Sequence, residues 1–230
     1  MSKRIGIIGG TGWLGGGLAQ AMLDSGFIEA ERLFLSNRSG RHSLTQTGAH
    51  VLADNQALVD ACDVVILSVR PEQFKALSVK APGKLVISLM AGVTAQAISA
   101  ATGASMVVRA MANAAVEIRQ SFTPWYCAQA LGAVEVAFIQ GLFECVGTAS
   151  RLPTEEGIDY LSALSGTGPA FPALLMTALT QQAVRAGIPE DVARQAAKGV
   201  VVSASHGPTS PFGTKPRSSR KYIGVGLNAS

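Results

Sequence analysis

The stretch that decides the fold is Arg4-Ile5-Gly6-Ile7-Ile8-Gly9-Gly10-Thr11-Gly12-Trp13-Leu14-Gly15, in a chain of 230 residues. A short β-branched run ends in closely spaced glycines and passes into apolar residues over 18–23. This pattern predicts a strand, a glycine turn and a helix. A second apolar run, Leu33–Ser36, follows roughly twenty residues after the turn, which completes one βαβ unit.

The glycines of the turn match the pattern G-x-G-x-x-G over residues 10–15. In a βαβ unit such glycines let a pyrophosphate approach the backbone, and the next helix offers its free N–H groups and the positive end of its dipole. A structural glycine turn is the alternative, but the position between a strand and a helix favours dinucleotide binding. The residues expected to bind the dinucleotide here are Gly10, Thr11, Gly12, Trp13 and Leu14.

The end of the second predicted strand selects between the two dinucleotides. An acidic residue there would accept a hydrogen bond from the ribose 2′-hydroxyl of NAD. This chain instead has Ser36, Asn37 and Arg38, whose hydroxyl and guanidinium groups suit a 2′-phosphate. We therefore expect NADP(H) as the cofactor, with an ordinary surface role for Arg38 as the alternative.

Three further apolar runs, 63–69, 85–90 and 105–109, alternate with helical stretches such as 56–61. Continuous apolar strands that alternate with helices are typical of a parallel sheet covered on both faces. The predicted fold class is therefore α/β, with an N-terminal Rossmann-type doubly wound parallel sheet.

Helical patterns replace the strand patterns from Val134 onward. A helix is predicted over Glu135–Cys145 with Gly147 ending it, and a boundary at 152–156 is followed by a helix that Thr154 caps. Further helical segments are expected at 159–164, 169–186 and 189–205. The predicted organisation is a Rossmann domain over 1–150, a small all-helical domain over 151–205 and an atypical basic segment over 206–230.

The helical half of the chain is unusually apolar for its size. Residues 170–178 are hydrophobic almost all round, and so small a domain rarely buries a core of its own. We therefore expect this domain to be a dimerisation domain, in a homodimer or a higher homo-oligomer.

Composition and charge exclude several classes of protein. Hydrophobic residues make up 48% of the chain, which rules out a disordered protein. The net charge of +4 comes from the end of the chain, since residues 192–230 hold six Lys/Arg and no acid. The first 191 residues show no basic cluster, so nucleic acid is not expected as a partner.

Neither a metal site nor a membrane segment is expected. The three cysteines and three histidines are scattered, without metal-ligand spacing. Lys3-Arg4 precede nineteen uncharged residues in the manner of a secretion signal, but seven of the nineteen are glycine. No apolar run approaches the ~18 residues of a membrane span, and we expect a cytoplasmic protein.

Four motifs together resemble the pyrroline-5-carboxylate reductase family over about residues 4–200. Ala163-Leu164-Ser165-Gly166-Thr167-Gly168-Pro169-Ala170-Phe171 is the most specific and is close to the family's Ala-Leu-Ser-Gly-Ser-Gly-Pro-Ala-Tyr. The other three are Ser68-Val69-Arg70-Pro71, Val86-Ile87-Ser88-Leu89-Met90-Ala91-Gly92-Val93 and Val108-Arg109-Ala110-Met111-Ala112-Asn113.

This resemblance implies hydride transfer from NADPH to a small cyclic imine, 1-pyrroline-5-carboxylate, to give proline. Further cofactor-binding residues are then expected at Asn55, Ser68, Val69, Arg70, Pro71, Ala91, Gly92 and Asn113. Thr209-Ser210-Pro211-Phe212-Gly213-Thr214 resembles the family's substrate loop. The resemblance places Thr209 near the imine nitrogen, as the catalytic residue, and assigns the substrate carboxylate to Ser210, Gly213 and Thr214.

Departures from the family leave two alternatives open. The glycine turn is closer to that of deazaflavin-dependent NADP reductases, and Ala112 and Ala114 replace the usual Pro and Thr around Asn113. The acid-free segment 206–230 also has the composition of a disordered or altered ending. The alternatives are therefore a deazaflavin-type reductase and a non-catalytic NADP-binding protein that has lost the substrate loop.

Overall fold

The structure is a computed structural model that describes residues 3–37 and 47–206. The chain divides into two compact units, Met1–Phe171 and Pro172–Ser230. The first unit contains the sheet, and the second contains most of the last two helices. The boundary expected near residue 150 stays a prediction.

The first unit is built on one eight-stranded sheet. Its strand order is β3-β2-β1-β4-β5-β6-β7-β8, and every neighbouring pair is parallel except β6 and β7. The strands are β1 (Ile5–Ile8), β2 (Leu33–Ser36), β3 (His50–Leu52), β4 (Val64–Leu67), β5 (Leu85–Ser88), β6 (Met106–Ala110), β7 (Ser121–Cys127) and β8 (Gly147–Arg151).

Helices connect the strands and continue beyond them. They are α1 (Trp13–Asp24), α2 (Asn55–Ala61), α3 (Pro71–Phe74), α4 (Ala95–Thr102), α5 (Ala133–Glu144), α6 (Glu156–Leu161), α7 (Ala170–Arg185) and α8 (Glu190–His206). Short 3-10 helices occupy Ala30–Arg32 and Ala114–Ile118, and a π-helical turn, Ser162–Gly166, follows α6.

The core lies on both faces of the sheet. Side chains of α1 and α5, such as Met22 and Phe143, pack with Ile7 on one face. Side chains of α2 and α4, such as Leu58 and Ile98, form a second cluster on the other face. Strands covered on both faces explain the continuous apolar runs, and they confirm the predicted doubly wound α/β fold.

The structure corrects the prediction that strands end before Val134. Helix α5 stops at Glu144, and Gly147 does not end it but opens strand β8 at a φ of +144°. A Cβ at Gly147 would lie 2.1 Å from the Ser121 carbonyl oxygen, so glycine permits the pairing with β7. Strand β8 was missed because it is short, polar and half exposed, without apolar alternation.

The helical segments predicted after residue 150 are present with shifted ends. Helix α6 begins after Glu155 and has no side-chain cap, so the predicted cap at Thr154 is wrong. In the second unit, Ala193 and Ala197 of α8 are buried. Helix α7 buries none of its residues and exposes Phe171, Leu174, Leu175 and Leu179.

Candidate cofactor-binding site

Three glycines in the turn after β1 and the first part of α1 have no room for a side chain. A Cβ at Gly9, whose φ is +79°, would lie 2.4 Å from the Ser68 carbonyl oxygen. One at Gly15 would lie 2.7 Å from the Gly9 carbonyl oxygen, and one at Gly10 would lie 2.7 Å from Leu35. The backbone of the turn is therefore packed directly on β2 and on the segment after β4, which requires glycine.

The amino end of α1 is arranged to receive an anion. Gly12 is the N-cap residue, no side chain caps the helix, and its first turn holds no acidic residue. The Gly12 N–H donates to the Gly9 carbonyl at 3.0 Å, which fixes the turn beneath the helix. The first N–H groups of α1 and the positive end of its dipole are then available to a phosphate group.

Strand register brings the ends of β1, β2 and β4 to one edge of the sheet. Ile8 pairs with both Ser36 and Leu67, so the segments that follow these three residues lie side by side. The crevice beyond the carboxyl ends of parallel strands, where the strand order reverses, is the usual ligand position in doubly wound sheets.

Two adjoining clefts lie at this edge and share Gly9, Val69 and Gln73. The larger, about 550 Å³, is also lined by Thr11, Ser36, Asn37 and Asn55. The smaller, about 450 Å³, is also lined by Gly12, Trp13, Leu14, Ser68, Arg70 and Leu89. Two other clefts, about 410 and 390 Å³, involve residues at the amino ends of strands and lack the glycine turn.

The larger cleft carries a polar pair that positions α2 beside β2. Ser36, which is buried, donates its hydroxyl to Oδ1 of Asn55 at 2.7 Å. Asp54 caps α2 by accepting from the N–H groups of Gln56 and Ala57 at 2.7 and 2.9 Å. The amide of Asn55 therefore has a fixed orientation at the cleft wall.

Trp13 connects the glycine turn to the segment after β6. Its side chain is 60% exposed, and its Nε1–H donates to a carboxylate oxygen of Glu117. Behind it, a Cβ at Gly17 would lie 2.7 Å from Val116, so α1 and the 3-10 helix Ala114–Ile118 pack closely. The indole of Trp13 forms part of the wall of the smaller cleft.

The side-chain amide of Asn113 makes hydrogen bonds to two backbone groups. Its Oδ1 accepts from the N–H of Ala115 at 3.0 Å, and its Nδ2 donates to the carbonyl of Ser165 at 2.9 Å. The side chain thereby joins the end of β6 to the π-helical turn. Its expected contact with the cofactor stays a prediction.

The clefts collect most of the predicted cofactor residues. Five predicted cofactor residues line neither cleft. They are Gly10, which is packed beneath the turn, and Pro71, Ala91, Gly92 and Asn113. Arg38, Thr209, Ser210, Gly213 and Thr214 lie outside the described residues.

Sequence reasoning missed Gln73, which lines both clefts. Its Oε1 accepts from the backbone N–H of Arg70 at 3.1 Å, so it stabilises the start of α3. A signal for it was present, because Pro71 marks the first position of a helix and Gln73 is the third.

Within residues 3–37 and 47–206, no group of His, Cys, Asp and Glu side chains is placed to hold a metal ion. In the same part of the chain, no helix combines the length and apolar character that a bilayer span requires.

Two family comparisons cover most of the chain. Residues 4–92 match the family described as NADP oxidoreductase, coenzyme F420-dependent. Residues 155–221 match the family described as pyrroline-5-carboxylate reductase dimerisation. The two matches fall on the glycine-turn half and on the helical half of the chain.

Curated relatives have one name in common. The pyrroline-5-carboxylate reductase of Synechocystis is 28% identical over 211 residues, which cover 89% of this chain and 79% of the relative. Pyrroline-5-carboxylate reductase 2 of Bacillus subtilis is 26% identical over 233 residues, with 96% and 82% covered.

Solved structures agree with the sequence relatives. The pyrroline-5-carboxylate reductase of Coxiella burnetii has a TM-score of 0.79 at 27% identity, covering 90% of this chain and 79% of that one. The Streptococcus pyogenes enzyme has a TM-score of 0.80 at 25% identity, covering 91% and 82%. The chain is thus similar over most of its length to pyrroline-5-carboxylate reductases, and its helical half matches the dimerisation domain of that family.

Proposed function

We propose that this protein reduces 1-pyrroline-5-carboxylate to proline with NADPH. The observation that carries the proposal is the combination of a glycine-turn cleft at the switch point of the sheet with a helical half that matches the family's dimerisation domain. The relatives named above are reductases of this compound, and their matches extend over both halves of the chain.

Several features of the larger cleft support NADP as the cofactor. No acid follows β2, and the fixed pair of Ser36 and Asn55 offers hydroxyl and amide groups at the cleft wall. Arg38 is proposed as the cation for the 2′-phosphate. The Plasmodium falciparum relative, 20% identical with a TM-score of 0.77, is described with NADP bound.

The proposed reaction needs no strong acid–base pair from the protein. When bound, NADPH supplies a hydride to the imine carbon, and the resulting amine nitrogen keeps or gains a proton. The chain's own contribution is to hold the pyrophosphate at Gly12–Leu14 and to fix the two reacting rings at a short distance. Orientation of this kind accounts for much of the rate enhancement in reactions that need no strong acid–base pair.

The substrate site is proposed on the segment after α8. Thr209 is assigned to the imine nitrogen, and Ser210, Gly213 and Thr214 to the substrate carboxylate. Support comes from the dimerisation-domain match, which runs to residue 221 and so includes this segment. The match favours a substrate loop over an altered ending.

The dimerisation-domain match indicates a homo-oligomer, and a homodimer or a higher assembly of this chain is proposed. The apolar side chains that α7 exposes supply the surface such an assembly needs. A small-molecule imine is the other proposed partner. A cytoplasmic location is also part of this proposal, and cell fractionation tests it.

The decisive experiment follows NADPH absorbance in the presence of 1-pyrroline-5-carboxylate and identifies proline by mass spectrometry. The full chain should oxidise NADPH and form proline in equal amounts. A chain cut after Ser205 should retain NADPH binding and lose turnover, because several donors to one carboxylate disappear together. NADPH binding without turnover in the full chain would instead support the non-catalytic alternative.

A deazaflavin-type reductase is the second candidate, because the match over 4–92 carries that description. The same assay with oxidised coenzyme F420 in place of the imine distinguishes the two. Reduction of the deazaflavin, with no reaction of the imine, would replace the proposed function.

A further inference from the structure

Arg109 is a buried cation in the middle of the sheet. Its side chain on β6 is 1% exposed, yet it lies in a strand whose other members are mainly apolar. Its two terminal nitrogens donate to Glu155 Oε1 at 2.9 Å and to Asp159 Oδ1 at 2.7 Å. The guanidinium therefore joins β6 to the segment that begins α6.

Glu155 has a second partner that Asp159 lacks. The same oxygen, Oε1, accepts from the backbone N–H of Ala95 at 2.8 Å. Ala95 is the first residue of α4, and Thr94 caps that helix through the N–H of Ala97, which leaves the Ala95 N–H to Glu155. One carboxylate oxygen thus holds the amino end of α4 to β6.

The loop that leads into α4 follows Leu89, which lines the smaller cleft. The family resemblance places two residues of this loop, Ala91 and Gly92, along the ribose and nicotinamide. Ala91 and Gly92 lie three to four residues before α4, and Asn113 lies three residues after β6. Asn113 is itself bonded to Ser165 of the π-helical turn, 2.9 Å away. Segments 91–95, 109–113 and 155–165 therefore form one hydrogen-bonded group in the first unit.

Burying Arg109 in this way has a free-energy cost that a contact serving stability alone would not need. Arg109 Nε is buried and has no hydrogen-bond partner among the described residues. Buried ion pairs with an unsatisfied polar atom are often no better for stability than apolar residues of similar volume. Their value lies in geometry, because a guanidinium fork fixes the direction of both carboxylates.

We propose that Glu155, fixed by Arg109, is a positioning residue for hydride transfer. It holds the Ala91–Thr94 loop, and through that loop the nicotinamide end of the cofactor, at the reacting distance. The inference rests on the proposed function, since it names how this chain orients the ring that donates the hydride. Neither residue is assigned contact with the substrate.

The test compares Glu155→Gln with Asp159→Asn, in the full chain. Both substitutions remove one carboxylate charge from Arg109, but only Glu155 also bonds the amino end of α4. Asp159 is 57% exposed, which makes it a matched control for the loss of an ion pair.

The first readout is amide hydrogen exchange of peptides that cover residues 91–97, without cofactor. Glu155→Gln should speed exchange in these peptides several-fold, whereas Asp159→Asn should leave it as in the unchanged protein. Equal exchange in the two variants would overturn the proposal. This measurement does not depend on activity, so it remains decisive if 1-pyrroline-5-carboxylate is not the substrate.

The second readout is turnover with NADPH and with NADPH deuterated at the transferred position. Glu155→Gln should lower kcat about tenfold or more, raise the isotope effect and change the NADPH KM less than threefold, because a small misplacement acts on the chemical step. Asp159→Asn should keep kcat within about twofold. A Glu155→Gln loss that appears only in KM would contradict the positioning role.

Arg109→Lys provides a variant with the charge retained. A lysine point charge cannot direct two carboxylates as the planar fork does, so exchange over 91–97 should rise even where Glu155→Gln proves unstable. Unchanged exchange in a folded Arg109→Lys protein would also count against the proposal.

Discussion

The hydroxyl of Ser36 donates its proton to Oδ1 of Asn55 across 2.7 Å, at the wall of the larger cleft. Because Oδ1 is occupied, the amide orientation is set, and within residues 3–37 and 47–206 the Nδ2 group of Asn55 has no hydrogen-bond partner. Two N–H donors are thus presented to an acceptor such as a ribose or phosphate oxygen. We therefore expect Ser36 to act on a bound cofactor through Asn55, in addition to any direct contact.

Removing this hydrogen bond should weaken cofactor binding. Ser36→Ala is expected to raise the NADPH Kd about fivefold to tenfold, equivalent to about 1–1.4 kcal/mol, because Asn55 loses its fixed orientation. Fluorescence titration measures the effect. Ser99→Ala is the control, since its hydroxyl donates to the Ala104 carbonyl at 2.7 Å and neither residue lines the cleft. Equal Kd values for Ser36→Ala and the unchanged protein would contradict the expectation.

The unchanged protein should prefer NADPH to NADH. A charge-assisted bond to the 2′-phosphate contributes about 1.5–3 kcal/mol, or roughly tenfold to a hundredfold in Kd. Arg38→Ala should remove most of this preference and leave the NADH Kd nearly unchanged. Parallel titrations of both proteins with both cofactors give the answer, and equal affinities in the unchanged protein would remove Arg38 from the site.

Two neighbouring glycines of α1 should respond differently to alanine. Gly15→Ala places a Cβ 2.7 Å from the Gly9 carbonyl oxygen, so it should displace the turn, weaken NADPH binding more than tenfold and lower stability. Gly16→Ala places its Cβ at 3.5 Å from the nearest atom and should leave binding unchanged, with a stability gain of up to about 1 kcal/mol. Denaturant titration and cofactor titration measure both variants. Similar losses in the two would show that the turn tolerates movement.

The exposed apolar face of α7 should be an association surface. Leu174, which is 71% exposed, should not tolerate a charge there, so Leu174→Lys should shift the assembly toward the 23.7 kDa monomer. Light scattering measures the mass. Gln96→Lys adds the same charge at an exposed position of α4 and should not alter the mass. A monomeric unchanged protein would contradict the proposed homo-oligomer.

The thiol of Cys62 should make stability fall at high pH. Burial raises the pKa of Cys62 from 9.0 to about 12, with a smaller opposing effect of Lys84. The neutral thiol is favoured in the folded state, so its contribution is complete below about pH 9 and is lost as pH rises toward 12. Across that window, unfolding free energy should fall about 1.4 kcal/mol per pH unit more steeply than in Cys62→Ala. The expectation would be contradicted if the unfolding free energies of the two proteins changed equally with pH in this window.

Local sequence patterns predicted the part of the fold that local physics determines. The β-branched run before Gly9 and the turn glycines identified β1, α1 and β2, because strand, turn and helix preferences agree there. Strands β7 and β8 were not predicted because their own sequences carry weak strand signals, and their conformation depends on pairing with β6 and with each other. Ser121–Cys127 contains a proline, and Gly147–Arg151 has no apolar face.

The candidate site shows the same division. Trp13 was predicted at the site from its place in the glycine turn and Ser68 from the family resemblance, and both line the smaller cleft. The contacts of Arg109 were not predictable, because its partners Glu155 and Asp159 are 46 and 50 residues away. Asn113 was predicted to be a cofactor residue. The bonds of its amide to Ala115 and Ser165 could not be predicted, because they depend on how β6, the 3-10 helix and the π-helical turn pack together.

The bare apolar face of α7 also links the stability of the protein to its abundance. Side chains that leave water only on association stabilise the folded chain in proportion to the logarithm of the concentration of its partner. Where that partner is a second copy, dilution lowers the free energy of unfolding, and the thermal midpoint should rise with protein concentration. A cell that makes little of this chain would hold a larger fraction of it unassembled, with its apolar helix open to proteases and chaperones.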